Sequence, residues 1–270
     1  MTQLATPQRP LSGQRTADTQ LLNNSPLLAV LRHEIALAQP LGLTDFKLGT
    51  EEEGLGPEEV RFLASLTGHG VGAMVKIGGP CARADLRLAG EVGASAVIAP
   101  MVESVFALTR FVEAADLELP SAAIGRAFNL ETGQAIAQLD GLLQSPAAKS
   151  LAFVNIGRSD LTASLGWQVD EPRSHDMVAQ TVLRLHQAGF AAHVGGKVTR
   201  ATLLPLLARV TFAVFHTRFL VFTVTPQVEA AITQALRVEV ALLDVLAAAF
   251  PERAQAHQAR AEETGRRMQG

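Results

Sequence analysis

The chain has 270 residues, of which 48% are hydrophobic and 18% are charged. This length fits one α/β barrel as well as two small domains, and a single domain is the better expectation. The formal net charge is -3, from 26 acidic and 23 basic residues. Because neither sign forms long runs, the sequence shows no basic footprint for nucleic acid or anionic lipid, and we expect a small-molecule partner instead.

The cysteine content and the N-terminus bear on the cellular compartment. Cys81 is the single cysteine, which excludes an intrachain disulfide framework and a multi-cysteine zinc site within one chain, and we expect it to serve in packing. The first 20 residues lack the apolar core of a secretory signal, and no uncharged apolar run reaches the roughly 18 residues that suggest a membrane span. The sequence therefore predicts a cytoplasmic protein without a membrane partner.

Residues 1–24 differ in composition from the rest of the chain. They are rich in Gln, Thr, Pro and Asn and have almost no apolar periodicity, which predicts a disordered arm. Residues 25–225 alternate short apolar strands with amphipathic helices. The predicted strands are 46–50, 72–79, 94–102, 120–130, 151–157, 191–196 and 211–218. The predicted helices begin in 27–42 and continue with 57–66, 82–93, 104–115, 131–143, 175–189 and 199–209.

This alternation indicates a parallel sheet whose outer face is covered by helices. Seven strands suit a (β/α)₈ barrel better than a doubly wound sheet, because no glycine fingerprint follows the first strand. The eighth strand is unassigned: it lies in the N-terminal region, or the barrel is irregular at its first strand. The segment 226–270 is helical, and its first part is more apolar than one exposed helix needs, so we expect it to pack on the barrel or on a partner subunit.

Polar residues follow most of the predicted strands, and in a (β/α)₈ barrel the chemistry lies at the carboxyl ends of the strands. Two carboxylates on neighbouring strands, such as Glu131 and Asp160, can share Mg²⁺ or another hard divalent cation. Arg158, beside Asp160, is placed to bind a substrate anion. The full set of strand-end residues is Glu51, Glu52, Glu53, Lys76, Glu103, Asn129, Glu131, Arg158, Asp160, Lys197, His216 and Arg218.

A purely structural interpretation stays open for these residues. A charge at a barrel rim is more often a helix cap or a solvated ion pair than a ligand, and Asp160 could be an N-cap. Five further histidines show no metal-ligand spacing and are interpreted as surface or core residues. These are His69, His175, His186, His193 and His257.

Three segments together resemble one known family. LAFVNIGRSDLTASLG, at 151–166, resembles the signature of the HpcH/HpaI aldolase and citrate lyase β-subunit family, in which a strand is followed by Asp-Leu and then by Ser and Gly. NLETGQAIAQLDGLL resembles its companion segment, in which a metal-binding Glu-Thr follows a strand. VIAPMVESVFALTRFVEA is similar to the family's Pro-Met-Val-Glu-Ser segment, whose backbone and small residues line the substrate pocket. Order and spacing agree over roughly residues 43–220.

Other segments, EEEG at 51–54, KIGG at 76–79 and HTRFLVF at 216–222, resemble an aldolase or citrate lyase-like subgroup of that family. The resemblance implies a (β/α)₈ barrel of the phosphoenolpyruvate/pyruvate superfamily, often a homo-oligomer with an exchanged C-terminal helix. By position, it implies that Glu131 and Asp160 are the Mg²⁺ ligands. It also implies that Asn129, Pro100 and Met101 line the substrate pocket.

Two positions depart from the family pattern. Lys76 stands at the end of a strand where typical members have an arginine, and a lysine lacks the bidentate fork of a guanidinium. Glu53 stands where aldolase members have a histidine that helps in proton transfer, so an acid here would have a different pKa as a base.

The function that these features predict is a Mg²⁺-dependent carbon–carbon lyase or aldolase. Its substrate would be a 2-oxo acid or an acyl thioester that reacts through a metal-stabilised enolate. In this interpretation Lys76 and Arg158 bind the substrate carboxylate, and Glu51 or Glu53 moves the proton. The alternative is a non-catalytic binding or accessory barrel that has lost the family's arginine and histidine.

Overall fold

The computed structural model describes residues 25–68, 70–120 and 123–268 of the chain. The predicted arm at 1–24 therefore lies outside the described residues. The described residues form an α/β fold around a closed barrel in which the strands follow one another in chain order. The strands are β1 (Leu43–Gly49), β2 (Gly72–Lys76), β3 (Ala96–Ala99), β4 (Gly125–Leu130), β5 (Phe153–Gly157), β6 (Ala192–Gly195), β7 (Val214–His216) and β8 (Leu220–Thr223).

The predicted barrel is confirmed, and its irregularity lies at the seam between the first and last strands. Strands β1 to β7 pair in parallel, whereas β8 runs antiparallel to both β7 and β1. The register between β8 and β1 shifts at Leu43 and Asp45, as in a β-bulge. The eighth strand thus follows the seventh after a tight turn, and it does not lie in the N-terminal region.

Helices pack around the barrel, and several begin where the sequence favours an N-terminus. Proline occupies the first turn at Pro26, Pro57 and Pro172, and the side chains of Ser104 and Thr199 accept hydrogen bonds from the first turns that they cap. The helices are α1 (Pro26–Ala38), α2 (Pro57–Ser65), α3 (Arg83–Glu91), α4 (Val105–Glu118), α5 (Gly133–Ala137), α6 (Leu139–Gln144), α7 (Arg158–Ser164), α8 (Pro172–Gln187), α9 (Arg200–Leu207), α10 (Val228–Ala249) and α11 (Ala254–Arg267), with 3₁₀ turns at Gln39–Leu41, Pro146–Ser150 and Pro251–Arg253.

The core has two parts because successive residues of a strand face opposite sides of the sheet. The larger part lies between the outer face of the strands and the helices, and it includes Phe46, Leu48 and Phe215. The smaller part fills the barrel interior. It consists of Met74, Ala96, Ile98, Ala127, Phe153 and Val221, with Val214 packed against it.

Helix α10 buries an extensive apolar face that includes Ala231, Val238 and Leu242. This face packs against α1 and α11 of the same chain. Within the described residues this face is thus buried in a single chain, and packing on a partner subunit stays a prediction. No helix in the described part of the chain has both the length and the apolar character needed to cross a membrane.

Candidate active site

A cavity of about 700 Å³ opens at the carboxyl ends of the strands. It brings together five residues that the sequence places in one site: Glu53, Lys76, Asn129, Glu131 and Asp160. They come from four separate strand ends, so the barrel closure is what collects them. Other lining residues include Lys47, Glu52, Asn155, Gly157, Ser159, Asp170, Gly195, Gly196, Lys197, Thr217, Arg218, Glu263 and Arg267.

Glu131 is held rigidly at the end of β4. Its Oε1 accepts a hydrogen bond of 2.8 Å from the backbone N–H of Met101, and its Oε2 accepts one of 2.9 Å from Asn129 Nδ2. Asn129 in turn accepts a bond of 2.8 Å from Asn155 Nδ2. A side chain at position 157 would place its Cβ 2.9 Å from Glu131 Oε2, so Gly157 lets this carboxylate lie against β5.

The surroundings of Glu131 and Asp160 disfavour the ionised form of both carboxyl groups. Burial raises the pKa of Glu131, and the charge of Asp160 adds to this effect against the opposing contributions of Met101 and Lys76. Burial also raises the pKa of Asp160, assisted by Glu52 and Glu53 and opposed by Lys76. Both carboxylates would therefore be stabilised in their ionised form by an added cation.

Glu53 lies between two lysines. Its Oε1 is 3.0 Å from Lys47 Nζ, and its Oε2 is 3.7 Å from Lys76 Nζ. Burial opposes its ionisation, but the charges of Lys47 and Lys76 outweigh burial and lower the pKa of Glu53. Glu53 is thus ionised at neutral pH and holds both ammonium groups at the cavity.

The assignment of Arg158 to substrate binding is wrong. Its guanidinium is buried and donates hydrogen bonds to the backbone carbonyls of Gly195, Gly196 and Thr202, at 3.1, 2.8 and 2.7 Å. Burial lowers the pKa of Arg158 to about 10, so it remains charged at neutral pH. It fixes the loop after β6 against α7, where a Cβ at position 196 would lie only 2.5 Å from Ser159 N.

Three other predicted site residues also lie outside the cavity. Glu51 lines a separate, shallower depression with Gly78 and Phe106, so it is not placed to move a proton at Glu131. The side chains of Pro100 and Met101 do not line the cavity; Pro100 is buried, and Met101 contributes its backbone N–H to Glu131.

Asp160 lies within the first turn of α7, whose N-cap is Gly157, so it is not an N-cap. Cys81 is exposed, which contradicts its expected packing role.

The sequence interpretation missed Lys47 and Asn155. Both lie on inward-facing positions of strands, two residues away from another inward residue, Asp45 and Phe153 respectively. The period of two along a strand was the signal that could have found them. Arg267, Glu263 and the turn residue Thr217 have no such signal, because their approach to the cavity depends on the path of the C-terminal helices.

A histidine pair lies inside the barrel below the cavity. His193 Nδ1 and His216 Nε2 are 2.9 Å apart, and the His193 ring stacks on Phe153 with centroids 3.9 Å apart. Burial lowers the pKa of His193 to about 4, and burial together with His193 and Lys47 lowers the pKa of His216 well below its usual range. Both imidazoles are therefore neutral at pH 7, and His216 is an interior residue.

Another buried histidine, His257, joins the C-terminal helix to the barrel rim. His257 Nε2 lies 2.5 Å from Glu59 Oε1, and Arg253 Nη1 lies 2.8 Å from Glu59 Oε2. Glu59 Oε2 also accepts a bond of 2.6 Å from the N–H of Gly56. Burial opposes the ionisation of Glu59, but these partners outweigh burial and lower its pKa.

The oxygen donors of the cavity fit the divalent cation that the family resemblance implies only in part. Within the described residues, no group of three or more His, Cys, Asp or Glu side chains is arranged to hold a metal ion. Two carboxylates with raised pKa nevertheless face one cavity, and the nearby buried Asn155 Oδ1 has no hydrogen-bond partner. Oxygen donors of this kind fit a hard cation that keeps water or substrate in its remaining positions.

No protein-family model matches the sequence, and no curated protein matches it either. Solved structures do match the fold. An HpcH/HpaI aldolase from Desulfitobacterium hafniense DCB-2 matches with a TM-score of 0.55 and 17% identity, over 69% of this chain and 82% of that chain. A citrate lyase from Burkholderia xenovorans LB400 matches with a TM-score of 0.54 and 18% identity, over 87% of this chain and 88% of that chain.

The citrate synthase SbnG also matches, with a TM-score of 0.53 and 16% identity, over 76% of this chain and 91% of that chain. The chain therefore has the barrel fold of HpcH/HpaI aldolase and citrate lyase structures, which confirms the resemblance at the level of the fold.

Proposed function

We propose that the protein is a carbon–carbon lyase of the aldolase type that acts on a 2-oxo acid or an acyl thioester. The observation that carries this proposal is the convergence of Glu131, Asp160 and Lys76 on one cavity at the carboxyl ends of the strands. The similar fold of an aldolase, a citrate lyase and a citrate synthase supports the same class of reaction.

Glu131 and Asp160 would hold a divalent cation, with Mg²⁺ as the expected metal. Such a cation supplies positive charge that offsets the negative charge developing on the substrate oxygens during the reaction. The hydrogen bonds from Met101 and Asn129 orient Glu131 for this role. Because Asn129 is itself fixed by Asn155, the geometry of the ligand is set before anything binds.

Lys76 would bind the carboxylate of the substrate as a point charge. Its ammonium group lies 3.7 Å from Glu53 Oε2, beyond ordinary hydrogen-bonding distance, so it keeps donors for a ligand. A base is most effective when its pKa is near the working pH. Since the pKa of Glu53 is lowered, we assign Glu53 to the orientation of Lys47 and Lys76 and not to proton transfer.

The proposal is tested by calorimetric titration with Mg²⁺ and then with oxalate, which mimics the enolate of pyruvate. We expect oxalate to bind the native protein in the presence of Mg²⁺, and Glu131→Gln or Asp160→Asn to weaken this binding by about 100-fold, because each removes one anionic metal ligand. Asp140→Asn is the matched control, since Asp140 is exposed and pairs with Arg184.

Two results would contradict the proposal. Equal oxalate affinity in the native protein and both variants would remove Glu131 and Asp160 from the site. Tight binding of Mg²⁺ and oxalate without cleavage of any 2-oxo acid or acyl thioester would instead favour the non-catalytic binding barrel. We further propose that the protein is a cytoplasmic homo-oligomer; light scattering of the purified chain tests its assembly.

A further inference from the structure

Three arginines are spaced seven residues apart at the C-terminal helix α11: Arg253 at its N-cap, and Arg260 and Arg267 within it. This spacing places them on one face of the helix. Arg253 donates to the carbonyl of Gly54 and Arg260 to that of Glu53, while Arg267 Nη2 donates to the carbonyl of Val198 at 2.9 Å. The arginine face thus rests on the barrel rim, from the loop after β1 to the loop after β6.

The position of α11 is further fixed by its neighbouring face. His257, Ala261 and Thr264 are buried there, and His257 bonds to Glu59 at 2.5 Å. A helix anchored along its length holds its last turn in a defined place. Arg267, in that last turn, therefore belongs to the cavity wall as a positioned group.

Two guanidinium groups, those of Arg267 and Arg218, reach the cavity from this side. The nearest carboxylate oxygens are Glu239 Oε2, 3.9 Å from Arg267, and Glu263 Oε1, 3.6 Å from Arg218. Both distances exceed those of charge-assisted hydrogen bonds. Each guanidinium carries five N–H donors, and those that remain are available to a ligand.

Lys197 adds a third cation to the same side of the cavity. Its side chain is exposed and has no hydrogen-bond or ion-pair partner among the residues that the structure describes. Its backbone has a φ of 45°, a left-handed conformation that is uncommon for lysine.

These three cations lie across the barrel from Lys76 and Glu131. In the closed strand order, β7 lies opposite β3, and Lys76 and Glu131 extend from the two neighbours of β3. The cavity of about 700 Å³ between them falls within the range of roughly 300–1,000 Å³ typical of pockets for drug-sized ligands. A three-carbon acid bound at Lys76 would leave much of it unfilled.

We propose that Arg267 and Arg218 form a second anion subsite, and that the substrate is a 2-oxo acid with a second anionic group remote from its 2-oxo carboxylate. This inference rests on the proposed function for the inner end of the cavity, which is the end lined by Lys76, Glu131 and Asp160. A guanidinium suits the task because its planar fork matches the two oxygens of a carboxylate. Helix α11 thereby becomes a determinant of specificity.

The test compares two 2-oxo acids of equal length, 2-oxoglutarate and 2-oxopentanoate, which differ by a terminal carboxylate in place of a methyl group. Calorimetry with Mg²⁺ present should show that 2-oxoglutarate binds the native protein at least about tenfold more tightly. This preference should disappear in Arg267→Met and Arg218→Met, with the affinity for 2-oxopentanoate unchanged. Arg266→Met, an exposed neighbour on the same helix turn, should retain it.

Equal affinities for the two acids in the native protein would overturn the inference, as would a preference that survives in both variants. If Arg267→Met also weakens oxalate binding, the substitution has displaced helix α11. The preference for 2-oxoglutarate is then judged from Arg218→Met, because Arg218 makes no hydrogen bond within the described residues. Oxalate reaches only the inner end. Failure of oxalate to bind the native protein would refute the proposed function and this inference together, whereas normal oxalate binding without the preference refutes this inference alone.

Discussion

The barrel interior holds a pair of histidines and the barrel rim a single buried one, and the partners of these histidines differ. Inside, His193 bonds to His216 at 2.9 Å, and burial holds the pKa of both imidazoles far below the usual value. At the rim, His257 bonds to Glu59 at 2.5 Å, with Arg253 on the other carboxylate oxygen. The interior pair is neutral, whereas the rim cluster contains an ionised carboxylate.

Between these two regions, the chemistry of the partner decides whether a buried group keeps its charge. A histidine facing another histidine gains nothing from protonation, so desolvation dominates. Glu59 is buried as deeply, yet its hydrogen-bond donors keep its pKa low. Glu53, between Lys47 and Lys76, follows the pattern of the rim.

Removal of the rim carboxylate should have the largest effect. Glu59→Ala leaves His257 and Arg253 without their partner, and breaking a buried ionic contact in this way costs about 4 kcal/mol of unfolding free energy. Urea-induced unfolding measures the change. Glu58→Ala, one position earlier and exposed, is the matched control and should change stability by less than about 0.5 kcal/mol. Similar values for the two variants would show that the rim cluster is not a stabilising unit.

The interior pair should make stability depend on pH in the acid range. Because the folded pKa of His193 is about 4, below the ordinary 6.5, the unfolded chain binds more protons between these values. Stability should therefore fall as the pH falls from 6.5 to 4, by about 3 kcal/mol from His193 alone. Glu131 and Asp160, with raised pKa values, act in the opposite direction.

Urea unfolding at a series of pH values checks this expectation, with the double variant His193→Phe, His216→Leu as the reference. The variant should show a shallower dependence of unfolding free energy on pH across that window. A parallel dependence in both proteins would mean that the two histidines have the same pKa in the folded and the unfolded chain.

Lys76→Met gives the smallest expected effect and separates a ligand role from a purely structural one. Loss of a charge-assisted hydrogen bond should weaken oxalate binding with Mg²⁺ present by roughly 1.5 to 3 kcal/mol, while the fold stays intact. Calorimetry measures the affinity, and Lys149→Met, at an exposed lysine, is the control. Unchanged affinity together with a lower thermal stability would assign Lys76 only to the ion pair with Glu53.

Much of the fold was predictable because alternating apolar strands and amphipathic helices are a local signal. The reversed direction of β8 was not, because only His216–Arg218 separate Phe215 from the next apolar run, which contains Phe222. Whether such a run continues or folds back depends on the pairing of Leu220–Thr223 with both neighbouring strands. Pairing is a tertiary property, and the run itself does not encode it.

The site was predictable where a carboxylate or lysine follows a strand directly, as at Glu131, Asp160 and Lys76. Arg158 shows the limit of that rule, since a long side chain after a strand can turn beneath the adjacent loop and bond to its carbonyls. Arg267 lies 107 positions after Asp160 in the sequence. Only the route of the last two helices brings it to the same cavity.

The reversed strand β8 also decides at which end of the barrel the chain finishes. In an all-parallel barrel every strand ends at the mouth and every helix returns to the floor, so the chain would finish on the side away from the cavity. Here β8 ends at the floor, where Thr223 N–H bonds to the carbonyl of Gly42. Helix α10 then climbs the barrel over about 33 Å and delivers Arg253 to the rim. One inverted strand thus brings the last helix of the sequence to the cavity wall. A change in the length or composition of this helix would therefore act on the site directly.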